Sequence, residues 1–522
     1  MVWLSASALA ITLLIAVTLL VVVITNGLGV FWPSTLVKAD LKDGGVVLGE
    51  LVKREARHEQ EGERLQFKIG NREFNGLDFR WVDEADIAKM SEPPKVMALE
   101  RAEYGNFYGY LKTVSPGQLA ESLPGSPSEQ LNKLRSLVAK QQKRVNEEGD
   151  RLNEVSYDAE DLRLKLLKLK YKGLAETDSR IVALNDEQSR LHEEFKQILQ
   201  IQNAMVAKLR SATAEFETVD GHSKQIAVAD IVRAWYPNAM STSSKVFFYL
   251  DKLKELIVSE PRESNTEGGL FPAIFGTVML IFLMSLFSFP FGVVAAVYLR
   301  EYAKEGLLVK VVRIAVNNLA GIPSIVYGIF GLGFFIYGVG GAIDRVFFPE
   351  RLPTPTFGTG GILWASLTLA LLTVPVVIVA TEEALSSIPR EMREGSYALG
   401  STKLQTLVRV LLPMASPGIM TGLILAMARA AGEVAPLMIT GVVKLAPALP
   451  IDGHFPFVHL DRKFMHLGFH IYDIGFQSPN VEAAKPMVFV TTLLLVLIVL
   501  VMSSTAIHLR NKMKKRYTHG TF

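Results

Sequence analysis

Arg429 and Glu433 are the residues whose types and spacing best fit chemistry, because they stand four apart inside a long apolar stretch. Residues four apart on a helix share one face, so we expect the two side chains to lie together. A charge at membrane depth costs at least about 2.5–3.5 kcal/mol and usually faces a polar cavity or a partner. The planar guanidinium donates two hydrogen bonds at once, which suits an oxyanion. The pair predicts an anion pathway, with an internal ion pair as the alternative.

A second candidate element is the polar segment that precedes this stretch. Glu394-Gly395-Ser396 is followed after three residues by Gly400, and after nine more by Val410-Leu411-Leu412-Pro413. Gly400 supplies the backbone freedom for a turn, and Pro413 can open the following helix, where its missing N–H has no consequence. A polar helix-turn-helix between apolar stretches predicts an element by which a neighbouring protein moves them.

Two weaker patterns concern cofactors. Residues 395–402 nearly match a phosphate-binding loop, but Ser401 takes the lysine position and no apolar strand precedes it. We therefore expect no ATP site and no other cofactor in this chain. Four histidines spaced by five, seven and four fit no standard zinc template, so a metal site is a minor alternative there: His454, His459, His466 and His470.

The composition excludes several classes of protein. A net charge of +3, without runs of Lys and Arg interleaved with aromatic residues, gives no reason to expect nucleic acid as a partner. The absence of cysteine excludes disulfides, Cys-ligated zinc and thiol catalysis, and it suits a protein with a large portion on an oxidising side. A length of 522 residues allows two or three domains.

Six apolar stretches are each long enough to cross about 30 Å of hydrocarbon, which takes about 20 residues. They predict an all-α polytopic membrane protein surrounded by lipid, and the first is expected to be an uncleaved anchor. The stretches are Val2 to Phe31, Gly268 to Leu299, Ile314 to Ile343, Leu352 to Thr381, Leu411 to Val443 and Pro486 to Ile507.

The loop charges predict the orientation. Lys and Arg are dense in residues 300–313, 382–409 and 510–516, and sparse in 344–351 and 444–485. Because basic loops stay in the cytoplasm, both termini and the polar segment are predicted there, and residues 32–267 are predicted outside the inner membrane. The first stretch disagrees, since Lys38 and Lys42 follow it and no basic residue precedes it.

The segment between the first two stretches divides in two. Residues 36–115 contain four short strand-like runs bounded by Gly, Asn and Asp, which predicts a β-rich module. Ser126-Pro127-Ser128-Glu129 is typical of a helix start. Apolar residues then recur at spacings of three and four from Leu131 to Leu169 and from Ile181 to Val219. This predicts an antiparallel coiled-coil hairpin with arms about 60 Å long, or alternatively an intermolecular coiled coil.

Several motifs resemble one known family. The spacing from Glu394 to Pro413 resembles the ATPase-coupling loop of bacterial ABC-importer permeases, which reads Glu-Ala-Ala, three residues, Gly, nine residues, Ile-x-Leu-Pro. Residues 428–437 resemble the fifth-span signature of phosphate-specific permeases, and residues 269–277, 299–303 and 318–328 also match. Residues 268–522 and the first span thus resemble the PstA-type permease of the phosphate importer, with Val434 in place of the usual Thr.

The resemblance implies a type I ABC-importer permease that is itself noncatalytic. Its implied partners are a second, PstC-type permease, a PstB-type ATPase dimer that binds the ATP, and a periplasmic PstS-type phosphate-binding protein, with inorganic phosphate as substrate. It places Arg429 and Glu433 in the substrate pathway. ATPase coupling is assigned to Glu394, Gly395, Ser396, Gly400, Leu412 and Pro413.

Two alternatives to this reading remain: a permease for another oxyanion such as sulfate or molybdate, and a membrane-anchored coiled-coil interaction or sensing protein. The expected domains are the first transmembrane helix (1–31), the periplasmic β-rich module (32–125), the hairpin (126–220), an amphipathic connector (221–267), the permease core (268–509, coupling loop 382–411) and a basic cytoplasmic tail (510–522).

Overall fold

The computed structural model describes residues 2–56, 62–262, 265–478 and 480–518. The chain folds into two compact units. We call them the membrane unit (Met1–Val30, Glu255–Pro261 and Asn265–Phe522) and the insert unit (Phe31–Lys254 and Arg262–Ser264).

The insert unit contains two antiparallel five-stranded sheets, ordered β4-β3-β2-β1-β5 and β10-β6-β7-β8-β9. The predicted β-rich module is therefore present. Alternating apolar residues of the first sheet, among them Leu65, Phe67 and Val82, pack into a common core. The elements up to residue 115, which include α1 of the membrane unit and the first two strands of the second sheet, are α1 (Val2–Gly29), β1 (Leu36–Leu41), β2 (Val46–Ala56), β3 (Glu63–Lys68), α2 (Arg72–Asn75), β4 (Phe79–Asp83), β5 (Ile87–Ser91), β6 (Met97–Arg101) and β7 (Phe107–Ser115).

Two long helices follow, α3 (Pro127–Tyr171) and α4 (Ser179–Arg210). The capping box predicted at Ser126 is confirmed, because its side chain accepts from the backbone of Glu129, whose own side chain accepts from the Ser126 backbone. The helices pack antiparallel, with Leu152 and Val155 of α3 buried against Leu191 and Ile198 of α4. A helical hairpin is thus present, while its classification as a coiled coil stays a prediction.

The second arm of the hairpin is shorter than predicted. Helix α4 ends at Arg210, and Phe216, which continued the predicted spacing, belongs to a strand (Thr213–Glu217) that pairs with β7. Phe216 is fully buried against Phe107, so tertiary packing overrides the local helical pattern. The hairpin therefore interrupts the second sheet, which resumes with β8 (Thr213–Glu217), β9 (Ser223–Ala227) and β10 (Ile231–Trp235), followed by helix α5 (Thr242–Val258).

Within the described residues, six helices are long and apolar enough to cross a membrane: Trp3–Gly29, Phe271–Tyr302, Ser324–Phe347, Ile362–Ser386, Lys403–Gly432 and Val481–Lys515. Three of them include a π-helical stretch, at Tyr298–Tyr302, Gly331–Gly340 and Leu407–Leu411. The helices after α5 are α6 (Phe271–Val297), α7 (Leu307–Leu319), α8 (Ser324–Phe330), α9 (Gly341–Phe347), α10 (Ile362–Ser386), α11 (Arg390–Ala398), α12 (Lys403–Thr406), α13 (Leu412–Gly432), α14 (Ala435–Thr440), α15 (Leu467–Tyr472) and α16 (Val481–Thr518).

Several predicted bounds change, among them the start of the fourth span, at Ile362 rather than Leu352. The third span begins at Ser324 rather than Ile314, because Gly321 and Pro323 separate it from α7. The fifth span begins earlier, at Lys403, and ends at Gly432 instead of Val443. The basic residues assigned to a tail from residue 510 continue helix α16 as far as Thr518.

Close packing of α6, α10 and α13 forms the centre of the membrane unit. Leu280, Leu369 and Ala430, one from each helix, are fully buried in the same cluster. Gly422 of α13 lies so near α10 that an added Cβ would stand 2.6 Å from the Cβ of Ala380. Small residues therefore bring these helices together, as is common where lipid supplies no hydrophobic driving force between spans.

Candidate functional site

The pair Arg429 and Glu433 stands where the fifth span ends. Arg429 lies in the last turn of α13, and Glu433 is the first residue beyond the helix, with extended backbone (φ −80°, ψ 126°). The expectation that both side chains share one helical face is therefore wrong for Glu433. Gly432 is a poor helix former, and Pro436 opens the next helix, so the chain breaks between them.

The two charges nevertheless meet. The Nε atom of Arg429 is 3.6 Å from Oε1 of Glu433, and their side chains are 34% and 20% exposed. This distance is an ion-pair contact but longer than a hydrogen bond, so the guanidinium is not locked by the carboxylate. Arg429 also stands at a helix C-terminus, where a cation is favoured. The pair can receive an anion without first breaking a tight hydrogen bond.

A glycine brings the third span against the segment that follows the pair. Gly328 of α8 is buried, and an added Cβ would lie 2.8 Å from the Cα of Pro436 in α14. Tyr327, the neighbouring residue, donates its hydroxyl hydrogen bond to the carbonyl of Leu319 at 2.7 Å. Two segments singled out in the sequence, 318–328 and 428–437, are thus in direct contact through Gly328 and Pro436.

A third segment, 269–277, reaches the pair indirectly. The N–H of Leu467 donates to Oγ1 of Thr277 at 2.9 Å, and a Cβ on Gly276 would meet the carbonyl oxygen of Met465 at 2.1 Å. Gly468 in turn lies against Val434, the residue after Glu433. The sequence assigned residues 464–468 to a loop and missed this support for the site. Gly276 and Gly468, small residues in close backbone contacts, were the available signal.

The four histidines do not form one group. His454 and His459 lie beside Asp452, whose carboxylate also contacts Arg462 at 2.6 Å. Burial alone would raise the pKa of Asp452, but hydrogen bonds from the His454 N–H, Arg462 and His459 lower it to about 2. His466 and His470 are buried instead, His466 as the N-cap of α15 and His470 within that helix. The described residues contain no group of three or more His, Asp or Glu arranged to hold a metal ion.

Because His466 and His470 are buried, we expect the stability of the folded protein to fall at acidic pH. Both lie outside the candidate spans, and burial lowers the pKa of each to about 4, with Asp473 raising and Lys444 further lowering that of His470. Below pH 6.5 the unfolded chain gains protons that the folded chain does not, so stability falls between pH 6.5 and 4 by at most about 3 kcal/mol per histidine. Thermal unfolding of the purified chain across this range measures the loss.

The control for this prediction is a chain in which neither side chain titrates. In the protein, the N–H of Gly468 donates to Nδ1 of His466 at 3.1 Å, and His466→Asn keeps an acceptor for this hydrogen bond. His470→Leu replaces the second imidazole by an apolar side chain. The double variant should show a flatter dependence of unfolding temperature on pH between 6.5 and 4. An unchanged slope would contradict the assignment of the acid sensitivity to α15.

The polar segment 390–411 forms the predicted helix-turn-helix. Glu394, Gly395 and Ser396 lie in α11, with Glu394 and Gly395 exposed. Gly400 turns the chain with a left-handed φ of +82°, and its N–H donates to the carbonyl of Tyr397 at 2.9 Å. Ser396 and Thr406 hydrogen-bond across the turn at 2.9 Å. The expected role of Gly400 as a turn residue thus has a structural basis.

The helix-turn-helix is attached to the end of the second span. Arg393 donates to Glu301 at 2.9 Å and to the carbonyl of Leu385 at 2.8 Å. The ammonium of Lys403 lies 4.8 Å from the ring centre of Tyr302. Segment 299–303 therefore holds both sides of the turn. The sequence named this segment without indicating its contacts.

Leu412 and Pro413 lie in the first turn of α13, as predicted for Pro413. The fifth span as a whole nevertheless begins earlier, at Lys403, with Thr402 as the N-cap, because α12 and α13 are joined without a break. A π-helical turn over Leu407–Leu411 precedes the proline and accommodates its missing backbone hydrogen bond. Leu412 is half-buried against the cluster that contains Leu411 and Leu385. These residues connect the turn to the span.

Leu399 was not singled out by the sequence. Its side chain is 89% exposed at the tip of the helix-turn-helix, immediately before Gly400. Tyr397 and Leu404, on either side of the turn, are also exposed, so several large apolar side chains face out of the helix-turn-helix and form a candidate contact surface. The signal was the leucine itself, which occupies one of the three unspecified positions of the motif.

These features are typical of a membrane transport permease: six apolar helices, a charged pair where one span breaks and a polar helix-turn-helix between spans. Residues 288–515 match the family of binding-protein-dependent transport system inner membrane components. The chain belongs to this family.

Relatives support the assignment. The chain is 35% identical over 194 residues to the probable ABC transporter permease protein YqgH of Bacillus subtilis, covering 37% of this chain and 59% of that protein. It is 33% identical over 221 residues to the probable phosphate transport system permease protein PstA of Methanocaldococcus jannaschii, covering 42% and 67%. With PstA 1 of Mycobacterium tuberculosis the values are 37% identity over 172 residues, 33% and 50%. The chain thus spans about half to two thirds of these relatives.

The chain also resembles a solved transporter structure. The inward-facing MetNI methionine ABC transporter matches 47% of this chain and 95% of its own chain, with 20% identity and a TM-score of 0.35. The family assignment rests on the sequence matches.

Proposed function

We propose that this chain is the PstA-type permease subunit of an ATP-driven importer of inorganic phosphate. The observation that carries the proposal is the pair Arg429 and Glu433, 3.6 Å apart and partly exposed at the broken end of the fifth span. Relatives named as phosphate transport permeases support the choice of substrate. The chain itself serves as a noncatalytic subunit, and ATP is bound by a partner.

The pair can distinguish phosphate from other oxyanions. The Arg429 guanidinium donates two hydrogen bonds to phosphate oxygens. Near neutral pH phosphate keeps at least one O–H, which can donate to the Glu433 carboxylate, whereas sulfate and molybdate carry no proton and are repelled by it. Glu433 also competes for Arg429, which weakens binding enough for release. A transport pathway requires this balance of capture and release.

The helix-turn-helix at residues 390–411 is proposed as the coupling element. Glu394 and Leu399 are exposed for contact with a cytoplasmic ATPase, while Ser396 stabilises the turn from within. Motion of the turn passes to the second span through the contacts of Arg393 with Glu301 and of Lys403 with Tyr302. It passes to the fifth span through Leu412 and Pro413, because that helix is continuous to Arg429.

The proposed assembly has two permeases, an ATPase dimer and a periplasmic phosphate-binding protein. In this assembly the turn and both termini lie in the cytoplasm, and residues 32–267 lie on the periplasmic side of the inner membrane. The helical hairpin of the insert unit, proposed as an intramolecular coiled coil, has no part in the transport step itself. A deletion over residues 120–220 would also remove β8 and the helix residues that pack against the second sheet, so the deletion is confined to the distal part of the hairpin, residues 150–199. This deletion leaves uptake intact in this proposal, whereas a sensing protein would lose its function.

Transport by the reconstituted complex tests the proposal. The chain, its partner permease and the ATPase are placed in vesicles with the binding protein, and uptake of labelled phosphate is measured with and without ATP. We expect ATP-dependent phosphate uptake that a tenfold excess of sulfate or molybdate leaves nearly unchanged. A site that bonds a substrate O–H rejects an analogue without it by about 10⁴-fold, far more than the tenfold excess. Uptake of sulfate or molybdate in place of phosphate would overturn the substrate assignment.

A further inference from the structure

Helix α5 (Thr242–Val258) has one face packed within the insert unit. Phe248 contacts Trp235 with ring centroids 4.9 Å apart, and Tyr249 contacts Trp32 at 6.2 Å. Lys252 donates to the buried carboxylate of Glu100 at 2.6 Å. Aromatic contacts and a charged hydrogen bond thus fix the rotation of the helix about its axis.

The opposite face of α5 exposes a stripe of apolar side chains. Its members, called here the α5 stripe, are Val246 (43% exposed), Phe247 (73%), Leu250 (53%), Ile257 (51%) and Val258 (62%). They share one face because the spacings from 246 to 250, from 250 to 257 and from 247 to 258 are close to one, two and three turns of a helix. Five large apolar residues aligned on one exposed face mark a surface that is covered in the working protein.

The position of α5 in the chain identifies what covers the stripe. Trp32, which contacts Tyr249, follows the end of α1 at Gly29 by three residues. At the other end, the N–H of Leu270 donates to the carbonyl of Leu256 at 2.7 Å, and α6 begins at the next residue, Phe271. The last residues of α5, Glu255–Val258, belong to the membrane unit, and α6 is a candidate membrane span. The C-terminal end of α5 is therefore held at the end of a span.

We propose that α5 lies in the lipid–water interface with its apolar stripe in the bilayer. Interfacial helices bury their apolar face about 5–10 Å into the boundary between head groups and acyl chains. Lys254, exposed on the same face, has an aliphatic stem long enough to carry its ammonium back to the head groups.

Lipid-exposed labels test this proposal, and the absence of native cysteine makes single-site labelling direct. Phe247→Cys and Ile257→Cys, in separate full-length chains, receive an environment-sensitive fluorophore. Leu77→Cys and Tyr171→Cys are matched controls, since both replace large exposed side chains elsewhere in the insert unit, one in a loop and one at the end of α3. The chains are reconstituted in vesicles of phosphatidylethanolamine and phosphatidylglycerol that carry a quencher near the head of the acyl chain.

We expect quenching at 247 and 257 to exceed that at the controls by at least about twofold, with blue-shifted emission. Equal quenching at stripe and control positions would overturn the proposal. Labels shielded from both the lipid quencher and aqueous iodide would overturn it as well, because a protein then covers the stripe. The measurement needs no transport, so its outcome is independent of the proposed substrate and partners.

Discussion

Replacement of Gly400 by proline should abolish ATP-driven uptake while leaving the protein in the membrane. Proline holds φ near −65°, whereas Gly400 has a φ of +82° and donates its N–H to the carbonyl of Tyr397. The turn between α11 and α12 therefore cannot form. The apolar helices that direct insertion do not include this residue. Uptake in vesicles, ATP hydrolysis by the complex and the amount of inserted chain are measured together.

Two further glycine variants provide the controls. Gly395→Ala should be fully active, because an added Cβ at this exposed helical position has no atom within 4 Å. Gly400→Ala also meets no neighbouring atom, but the left-handed backbone costs about 1–2 kcal/mol with a side chain, so an intermediate loss is expected. Normal coupling in Gly400→Pro would remove the helix-turn-helix from the mechanism.

The second large effect is expected at Arg429. Arg429→Lys keeps the charge but loses the planar fork, and loss of one charge-assisted hydrogen bond of about 1.5–3 kcal/mol predicts a reduction of about 10- to 100-fold in kcat/KM for phosphate uptake. Arg429→Ala should be inactive, because it leaves Glu433 to repel the anion. Glu433→Gln should lower both KM and the maximal rate, since the competitor that assists release is gone.

Stability measurements separate a transport role of Arg429 from a structural one. The 3.6 Å contact with Glu433 involves side chains that are 34% and 20% exposed, so its loss should change the unfolding temperature of Arg429→Lys little. Arg54→Lys, at an exposed position of the insert unit, serves as the matched control for the substitution itself. Full transport together with normal assembly in Arg429→Lys would refute bidentate binding by the guanidinium.

The sequence by itself determined the features that depend on local signals. The six apolar stretches predicted six helices able to span a membrane, since about 20 apolar residues suffice. Ser126 and Glu129 predicted the start of α3, because a capping box is read from residues three apart. Gly400 predicted the turn, since a left-handed φ favours glycine. Arg429 and Glu433 were identified because charges in apolar stretches are rare.

Contacts between distant segments were decided by the tertiary structure alone. The spacing of apolar residues could not show that Phe216 belongs to a strand, because its pairing with β7 lies across the whole helical hairpin. Nor could it show that α13 ends at Gly432, or that Gly328 packs on Pro436 and Thr277 holds Leu467. Close packing and buried hydrogen bonds depend on which surfaces meet, and that is a property of the folded chain rather than of any short stretch of residues.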